Sequence, residues 1–579
     1  MTAAGTGNPA QMQGSAVEPP LVAALVALRE RIAGLRLPLD VAGAAEARRG
    51  ASGLVGQIDD YLLPRLRQLD APLLAVVGGS TGAGKSTLVN GLVGEQVTTA
   101  GVLRPTTRAP VLVCSPADRH WFADARILPG LSRTTGAAAD AGSLQLVTST
   151  GVPTGLALLD APDIDSVVAA NRELAAQLLA AADLWLFVTT AARYADAVPW
   201  DLLHTAQTRS TALAVVLNRV PPEAVGDVST HLASMLRDNG LSGAALFTVR
   251  EVALTNGELP AAELRSVREW LDGLAADADR RAEVIRTTLG GALDSLQDRV
   301  PVLVEAVTRQ RSAAATLHGQ VTAAYAAAVK EVDTGVRGGS LLRGEVLARW
   351  QDFVGTGEFM RTLESRIGQF RDRVMAALTG RSTPESQLRG AVETSVDSLV
   401  LDAADRAAER SVEAWRVEPS GKALLDGSGR ELSRSSPELR RRLGEEVRGW
   451  QGHVLQLVSA EGADKRLAAR IASFGVNGAG LAVMIAVFSH TGGLTGGEIA
   501  VAGGTTVAGQ RLLEAIFGDQ AVRTLAAEAR VDLIGRVERL LAAEVGRFDR
   551  LLEPVDADEQ AGALRSTLAA VQAARASRT

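Results

Sequence analysis

The chain has 579 residues, which is too long for a single hydrophobic core and predicts two or three domains. Its net charge of −6 argues against nucleic acid as a partner, because nucleic-acid-binding domains are usually basic. The single cysteine, Cys114, excludes an internal disulfide framework and suits a reducing cytosol, and its place in an apolar run predicts a packing role.

The first 70 residues divide into a tail and a helical segment. Residues 1–20 contain Gly, Gln and Pro, carry no secretory signal pattern and are predicted to be disordered. Residues 21–70 are predicted to form N-terminal helices that pack on a helical stalk. The apolar positions that recur on one helical face are Leu21, Leu25, Leu28, Ile32 and Leu35.

A complete phosphate-binding P-loop follows the apolar run Leu73–Val77. It consists of Gly79, Ser80, Thr81, Gly82, Ala83, Gly84, Lys85 and Ser86. In this motif the backbone amides surround phosphates at a helix N-terminus, Lys85 reaches the β- and γ-phosphates, and Ser86 binds Mg²⁺. The sequence therefore predicts that residues 79–86, together with Thr87, bind a nucleotide.

The rarity of lysine supports this interpretation. The chain has 60 basic residues, and the lysines among them are Lys85, Lys330, Lys422 and Lys465. Arginine therefore replaces lysine almost everywhere, yet Lys85 stands where a compact ammonium is needed and a planar guanidinium fits badly.

Short apolar runs continue after the P-loop and alternate with stretches long enough for helices. These runs are Val111–Cys114, Leu156–Leu159, Leu184–Val188, Leu213–Leu217 and Ala245–Val249. Continuous apolar strands alternating with helices predict a mostly parallel sheet covered on both faces. We therefore expect an α/β P-loop domain over residues 71–275.

Asp160 comes directly after one of these strands, where an acid is costly unless it has a partner. A Mg²⁺ ion, bound directly or through water, is the predicted partner. The segment Asp160–Asp163 is similar to the Asp-x-x-Gly motif of GTPases, but Asp163 replaces the glycine. The sequence alone leaves the role of Asp163 open.

Residues 104–108 lie between the P-loop helix and the next strand, where GTPases place a threonine that closes on Mg²⁺ and the γ-phosphate. Thr107 is predicted to fill this role, with Thr106 as the alternative. Either Arg104 or Arg108 is a candidate for neutralising transition-state charge. The alternative for all of them is a polar surface loop.

Asn218 ends the strand Leu213–Leu217 and is predicted to contact the nucleotide. A guanine-specific loop would read Asn-Lys-x-Asp, but here Arg219 and Pro221 replace the lysine and the aspartate. The carboxylate that would accept from guanine is therefore missing at this register. GTP is preferred on the overall pattern, and ATP stays open.

The rest of the chain is predicted to be helical, with a stalk over 276–470 and C-terminal stalk helices over 518–579. The segment 471–517 differs, because residues 471–497 contain no Asp, Glu, Lys or Arg and glycine is frequent. Two apolar pieces joined by a Gly-rich turn predict a helical hairpin. The first piece falls short of the ~20 residues that span a bilayer. A membrane-inserting tip is favoured over a buried hairpin in the stalk core and over transmembrane helices.

Together these features resemble the bacterial dynamin-like GTPases. The resemblance is carried by residues 79–86, 104–107 and 160–163, and by the long helical region with its late apolar hairpin. The chain departs from the dynamin pattern in having Thr81 and Gly82 where Gln and Ser are typical.

The resemblance implies a Mg²⁺-dependent GTP hydrolase that acts on membrane lipids from the inner face of the cytoplasmic membrane. It also implies a homo-oligomer formed through the GTPase domain, or a dynamin-like partner. Hydrolysis would use Lys85 and Thr107, with water oriented by Ser80 or Thr81, and Mg²⁺ would be held by Ser86, Thr107 and Asp160.

Two other functions remain open on the sequence. One is an Era-like GTPase that associates with the ribosome or RNA, although no basic RNA-binding module is visible. The other is a nucleotide-gated scaffold with little hydrolysis, which the altered position of Asp163 makes plausible.

Overall fold

The computed structural model describes residues 19–98, 109–124, 127–128, 130–136, 142–165, 169–208, 211–255, 257–338, 341, 345–346, 348–349, 384–428, 431–461, 476–489, 519–555 and 557–577. The chain divides into two units. The first unit comprises Met1–Leu37, Gly43–Thr308 and Ala557–Thr579, and the second comprises Pro38–Ala42 and Arg309–Asp556.

The first unit contains eight strands among its described residues. They are β1 (Leu73–Gly79), β2 (Val111–Cys114), β3 (Ser132–Thr134), β4 (Ser143–Thr148), β5 (Leu156–Asp160), β6 (Leu184–Thr190), β7 (Ala212–Val220) and β8 (Ala245–Arg250). Their order in the sheet is β3-β4-β2-β5-β1-β6-β7-β8, and only the β2–β5 pair is antiparallel.

The helices of the chain follow in order. They are α1 (Pro20–Ala33), α2 (Ala44–Gln57), α3 (Leu63–Arg67), α4 (Lys85–Val93), α5 (Arg119–Phe122), α6 (Ala169–Ala180), α7 (Ala197–Thr208), α8 (Val225–Asp238), α9 (Ala261–Ala276), α10 (Ala278–Arg337), α11 (Pro384–Val417), α12 (Pro419–Ser428), α13 (Pro437–Glu461), α14 (Val476–Ser489), α15 (Asp519–Leu552) and α16 (Ala557–Ala576). A π-helical turn, Ile58–Leu62, joins α2 to α3, and short 3-10 turns occupy Pro116–Asp118 and Pro222–Ala224.

The predicted α/β class with a mostly parallel sheet is confirmed, and every predicted apolar run forms a strand. Successive side chains of a strand point to opposite faces, and β1 shows why its run is continuous. Leu74 and Val76 enter the core on one face of the sheet, while Leu73, Ala75 and Val77 enter the core on the other. A strand buried on both faces has no polar positions.

Strands β3 and β4 were not among the predicted runs. β3 is the edge strand, which exposes one side chain and partly exposes the others, and β4 lies next to it, between β3 and β2. Polar residues such as Arg133 and Gln145 interrupt them, so they lack the continuous apolar pattern of the central strands.

The units follow boundaries different from those predicted. The N-terminal helices belong with the sheet, because α1 packs along α16 and α2 contacts α6 within the first unit. The last helix, α16, also belongs to the first unit. Its Arg575 pairs with Asp294 of α10 at 2.5 Å. The first and the last described helices therefore pack together within the first unit.

The described residues of the second unit form helices joined by short irregular segments, and none of them lies in a strand. Its core contains Trp415, Trp450 and Phe548, and the indole N–H of Trp450 donates to the carbonyl of Ala529 at 2.7 Å. Helices α11, α13 and α15 surround this core.

The apolar hairpin predicted over 471–517 is described only in α14. This helix packs between α13 and α15, and its residues Leu481 and Val483–Phe488 are buried in the core of the second unit. Phe488 lies 5.9 Å from Trp450, centroid to centroid. Within the described ranges no helix combines the length and the apolar character needed to cross a membrane. The remainder of 471–517 lies outside the described residues.

A buried ion pair fixes α3 to the sheet, and it generates a stability prediction. Arg65 pairs with Asp183, which is fully buried and also accepts from the amide of Leu74 at 2.8 Å. Replacing Arg65 with Leu leaves that carboxylate unpaired, so the free energy of unfolding should fall by about 3–5 kcal/mol. Urea titration measures the loss.

The control is Arg441→Leu, which breaks the exposed pair of Arg441 with Glu438 and should change stability little. Equal losses in the two variants would contradict a structural role for the buried pair.

Candidate functional site

The P-loop connects the end of β1 to the start of α4, and two glycines permit its path. Gly79 has φ +152°, and a Cβ on it would lie 2.1 Å from the carbonyl oxygen of Val188. Gly84 has φ +90°, and a Cβ there would lie 2.6 Å from the amide nitrogen of Asn218. Both positions therefore require glycine, because a larger residue would have a strained backbone conformation and its Cβ would clash with a neighbouring atom.

The loop delivers backbone amides to the N-terminus of α4. The amide of Leu88 donates to the carbonyl of Gly84 at 2.8 Å, so the amides of Lys85, Ser86 and Thr87 precede this helical bond. The first N–H groups of a helix lack helical acceptors and, with the helix dipole, favour an anion. The amides of Lys85, Ser86 and Thr87 could therefore donate to an anion, and the binding of phosphate by residues 79–87 stays a prediction.

The ammonium of Lys85 is almost completely buried and surrounded by acceptors. Its Nζ donates to the carbonyls of Gly79 at 2.9 Å and Ser80 at 3.2 Å, and it forms an ion pair with Asp163. The side chains of Lys85 and Asp163 are 4% and 19% exposed. The role that the sequence left open is therefore visible: the carboxylate of Asp163 neutralises the P-loop lysine.

Asp160, at the end of β5, joins a second part of the site. Its Oδ2 accepts from the hydroxyls of Ser86 at 2.7 Å and Thr98 at 2.8 Å. Its Oδ1 is buried and has no hydrogen-bond partner among the described residues. Burial raises the pKa of Asp160, whereas the hydrogen bond from Ser86, the charge of Lys85 and the hydrogen bond from Thr98 oppose that rise.

The Ser86–Asp160 pair fits a Mg²⁺ ion. Both residues offer oxygen ligands, and the unused Oδ1 of Asp160 is a buried acceptor that a cation would satisfy. Mg²⁺ in nucleotide sites is typically held by one or two protein ligands together with water and phosphate. Among the described residues, no group of three or more His, Cys, Asp or Glu could hold a metal.

A third cluster lies at Thr81. Asp165 Oδ1 accepts from the Thr81 amide at 2.6 Å and from its hydroxyl at 2.7 Å. Asp165 Oδ2 pairs with Arg193 at 2.9 Å, and Arg193 also donates to the Thr81 carbonyl at 3.2 Å and to Asp196 at 2.9 Å. Burial would raise the pKa of Asp165, but the donors on Thr81 and Arg193 outweigh it and the pKa is lowered.

Asn218 is brought beneath the P-loop. Its side-chain amide donates to the carbonyl of Ala83 at 2.8 Å, its oxygen accepts from the amide of Arg219 at 2.9 Å, and it is 3% exposed. Arg219 has φ +53°, at an irregularity in the β7–β8 pairing. In this structure Asn218 braces the loop.

The other predicted site residues have different outcomes. Thr106, Thr107, Arg104 and Arg108 lie outside the described residues. The hydroxyl of Ser80 is buried, whereas that of Thr81 reaches Asp165.

Sequence reasoning missed Thr98, Asp165 and Arg193. A threonine after α4, an acid two positions beyond Asp163 and an arginine after β6 follow no known motif. The only signal for Asp165 was its closeness to the Asp160–Asp163 segment.

Comparison with known proteins gives structural neighbours only. No protein-family model matches the chain, and no curated protein matches it. Two solved chains of an oligomerised bacterial dynamin pair, described as a mechanism for long-range sensing and tethering of membranes, are similar over nearly its whole length. The first covers 97% of this chain and 96% of its own at 10% identity and a TM-score of 0.39. The second covers 98% and 96% at 10% identity and a TM-score of 0.34.

Toc33 from Arabidopsis thaliana, in complex with Mg²⁺ and GMPPNP, is similar over 40% of this chain and 93% of its own, at 17% identity and a TM-score of 0.24. Bacterial dynamins are therefore among the solved structures to which this chain is similar over nearly its whole length. At these TM-scores no function follows from the likeness, and the proposals below depend on the residues of this chain.

The Lys85–Asp163 pair generates a prediction about affinity. Asp163 competes with any phosphate for Lys85, so Asp163→Asn should bind nucleoside triphosphate about tenfold more tightly than the wild type. Fluorescence titration with a nucleotide analogue measures the change.

The control, Asp227→Asn, removes the same charge from an exposed site on α8 and should leave affinity unchanged. Weaker binding by Asp163→Asn would show instead that the carboxylate supports the nucleotide.

Proposed function

We propose that the chain is a dynamin-like P-loop GTPase that hydrolyses GTP with Mg²⁺ and couples hydrolysis to membrane binding. One observation carries the nucleotide part of this proposal. The ammonium of Lys85 and the amide of Thr81 are both occupied by carboxylates of one segment, at the edge where β1 and β5 end. Ligands of open parallel sheets bind at this edge, and these donors are those that a phosphate would take.

Binding would proceed by exchange of one anion for another. A nucleotide phosphate would replace Asp163 on Lys85, and the α4 N-terminus would receive a second phosphate. Ser86 and Asp160 would hold Mg²⁺, which supplies positive charge against the phosphate oxygens when bound. Thr107 remains the proposed further ligand on the sequence pattern.

The proposed reaction breaks one bond and forms one. The oxygen of water bonds to the γ-phosphorus, the bond from that phosphorus to the β,γ-bridging oxygen breaks, and GDP and phosphate leave. The proton of the attacking water ends on the phosphate product. Lys85 stabilises charge on the phosphate oxygens, which is the main work that phosphoryl transfer requires of a protein.

GTP is the proposed nucleotide because the motifs are similar to those of GTPases, while ATP stays the alternative. Pro221 cannot offer the carboxylate that reads guanine, and Asn218 is engaged with the P-loop carbonyl of Ala83. Turnover of the two nucleotides on one preparation decides between them.

Membrane association is proposed for the segment 471–517, at the inner face of the cytoplasmic membrane. The described part, α14, has its apolar side chains buried in the second unit. Insertion of this helix into lipid would therefore require it to leave α13 and α15. A homo-oligomer or a dynamin-like partner is proposed on the same resemblance.

A second candidate is a nucleotide-gated scaffold with little hydrolysis. The observation that favours it is that the carboxylates of Asp163 and Asp165 are paired with Lys85 and Arg193, and a carboxylate in an ion pair is poorly suited to orient the attacking water. Single-turnover kinetics separate the two functions: bound GTP that persists for hours would favour the scaffold.

Lys85→Ala tests the nucleotide site directly. Removing the ammonium should lower triphosphate affinity by at least about a hundredfold and abolish turnover, because a buried charge-assisted contact is lost. The matched control is Lys330→Ala, which removes an exposed lysine from α10. Turnover in Lys85→Ala equal to that of the control would refute the P-loop as the active site.

A cysteine pair tests the membrane role of α14. A Cβ on Gly480 would lie 3.8 Å from the Cα of Leu455, which places the two Cα atoms closer than the ~7 Å that a disulfide can bridge. Leu455→Cys with Gly480→Cys should therefore lock α14 to α13. The oxidised protein should lose liposome binding and the reduced protein should keep it, as measured by co-sedimentation.

The native thiol does not interfere, because burial raises the pKa of Cys114 to about 11. Equal liposome binding by the oxidised and reduced forms would show that α14 stays in the bundle when the protein meets lipid.

A further inference from the structure

We infer that Arg193 is a phosphate-contacting residue of the nucleotide-bound protein, and that Asp165 stands in for the phosphate in the structure described here. This inference rests on the proposed function, because it needs a nucleotide in the P-loop. It adds a third group that donates to phosphate, supplied by the turn after β6, to Lys85 and the amides at the helix N-terminus.

Arg193 lies in contact with the P-loop. Its Nη1 donates to the carbonyl of Thr81 at 3.2 Å, so the guanidinium touches the loop itself. Thr81 follows Ser80, whose carbonyl accepts from Lys85 Nζ at 3.2 Å. Arg193 therefore lies at the end of the loop that the lysine ammonium reaches, where the terminal phosphates of a nucleotide belong.

The carboxylate of Asp165 bridges Thr81 and Arg193. One carboxylate oxygen takes the amide and hydroxyl of Thr81 at 2.6 and 2.7 Å, and the other takes Nη2 of Arg193 at 2.9 Å. A guanidinium fork matches carboxylate and phosphate alike, because both present two oxygens. Two oxygens of one phosphate would satisfy the same donors.

Asp165 is linked to Asp163 along the chain. Asp163 and Asp165 lie on either side of Ile164, so a phosphate that takes Lys85 from Asp163 would act on the segment that also carries Asp165. The guanidinium stays near the loop, because its Nη1 donates to the carbonyl of Thr81 at 3.2 Å. Arg193 would then turn its released Nη2 to the phosphate.

The test compares Arg193→Ala with Asp165→Asn, because the inference predicts effects of opposite sign. Arg193→Ala should weaken binding of a fluorescently labelled, non-hydrolysable GTP analogue by about tenfold or more, with a smaller loss for labelled GDP. Asp165→Asn removes the competing charge and should strengthen binding of the GTP analogue several-fold. Arg193→Lys keeps the charge without the fork and should lie between wild type and Arg193→Ala.

Arg29→Ala is the matched control. Arg29 pairs with Asp59 at 2.8 Å and has the same 38% exposure as Arg193, but lies on α1. Its nucleotide affinities should equal those of the wild type. If Arg193→Ala fails to fold, Arg193→Lys and Asp165→Asn provide the same contrast of sign.

The failures of the two proposals are distinguishable. If Arg193→Ala and Asp165→Asn both weaken binding equally, or both leave it unchanged, the pair is a structural ion pair and the inference is wrong, while the proposed function stands. If the wild type binds no nucleotide and matches Lys85→Ala, the proposed function falls and this inference with it.

Discussion

The structure of the site depends on one constraint: the ammonium of Lys85 is buried, and a buried charge must have partners. Two carbonyls of the P-loop and the carboxylate of Asp163 provide them. The same requirement explains why Asp163 is tolerated where GTPases carry glycine. The carboxylate of Asp163 supplies the negative charge that a phosphate would bring to Lys85 in the proposed nucleotide complex. The nucleotide binding proposed for this chain is therefore an exchange of anions.

Much of the first unit is predictable because its central strands are buried on both faces. Continuous apolar runs such as Leu73–Val77 can satisfy neither a surface strand nor an amphipathic helix, so they identify strands directly. The P-loop can also be predicted from the sequence, because steric constraints require its glycines and the charge of the phosphates requires Lys85. An edge strand such as β3 is not buried on both faces, so its sequence mixes polar and apolar residues and does not identify it as a strand.

The contacts that define the site could not be read from the sequence, for a physical reason. Asp163 and Lys85 are 78 positions apart, and Arg193 lies 112 positions from Thr81. Whether such residues meet depends on strand order and on the path of loops, which periodicity does not encode. Polar residues at loop positions are also common, so Asp165 and Arg193 differ in sequence from ordinary surface residues in no visible way. Contact with the P-loop alone distinguishes them.

The most direct test of this account is a structure of the full chain with Mg²⁺ and a non-hydrolysable GTP analogue. The account predicts that the Lys85 ammonium contacts phosphate oxygens, that Asp163 has left it, and that Ser86 lies beside the metal. A complex in which the analogue binds while the Lys85–Asp163 pair remains intact would contradict the exchange of anions. An analogue that binds away from residues 79–87 would contradict the site itself.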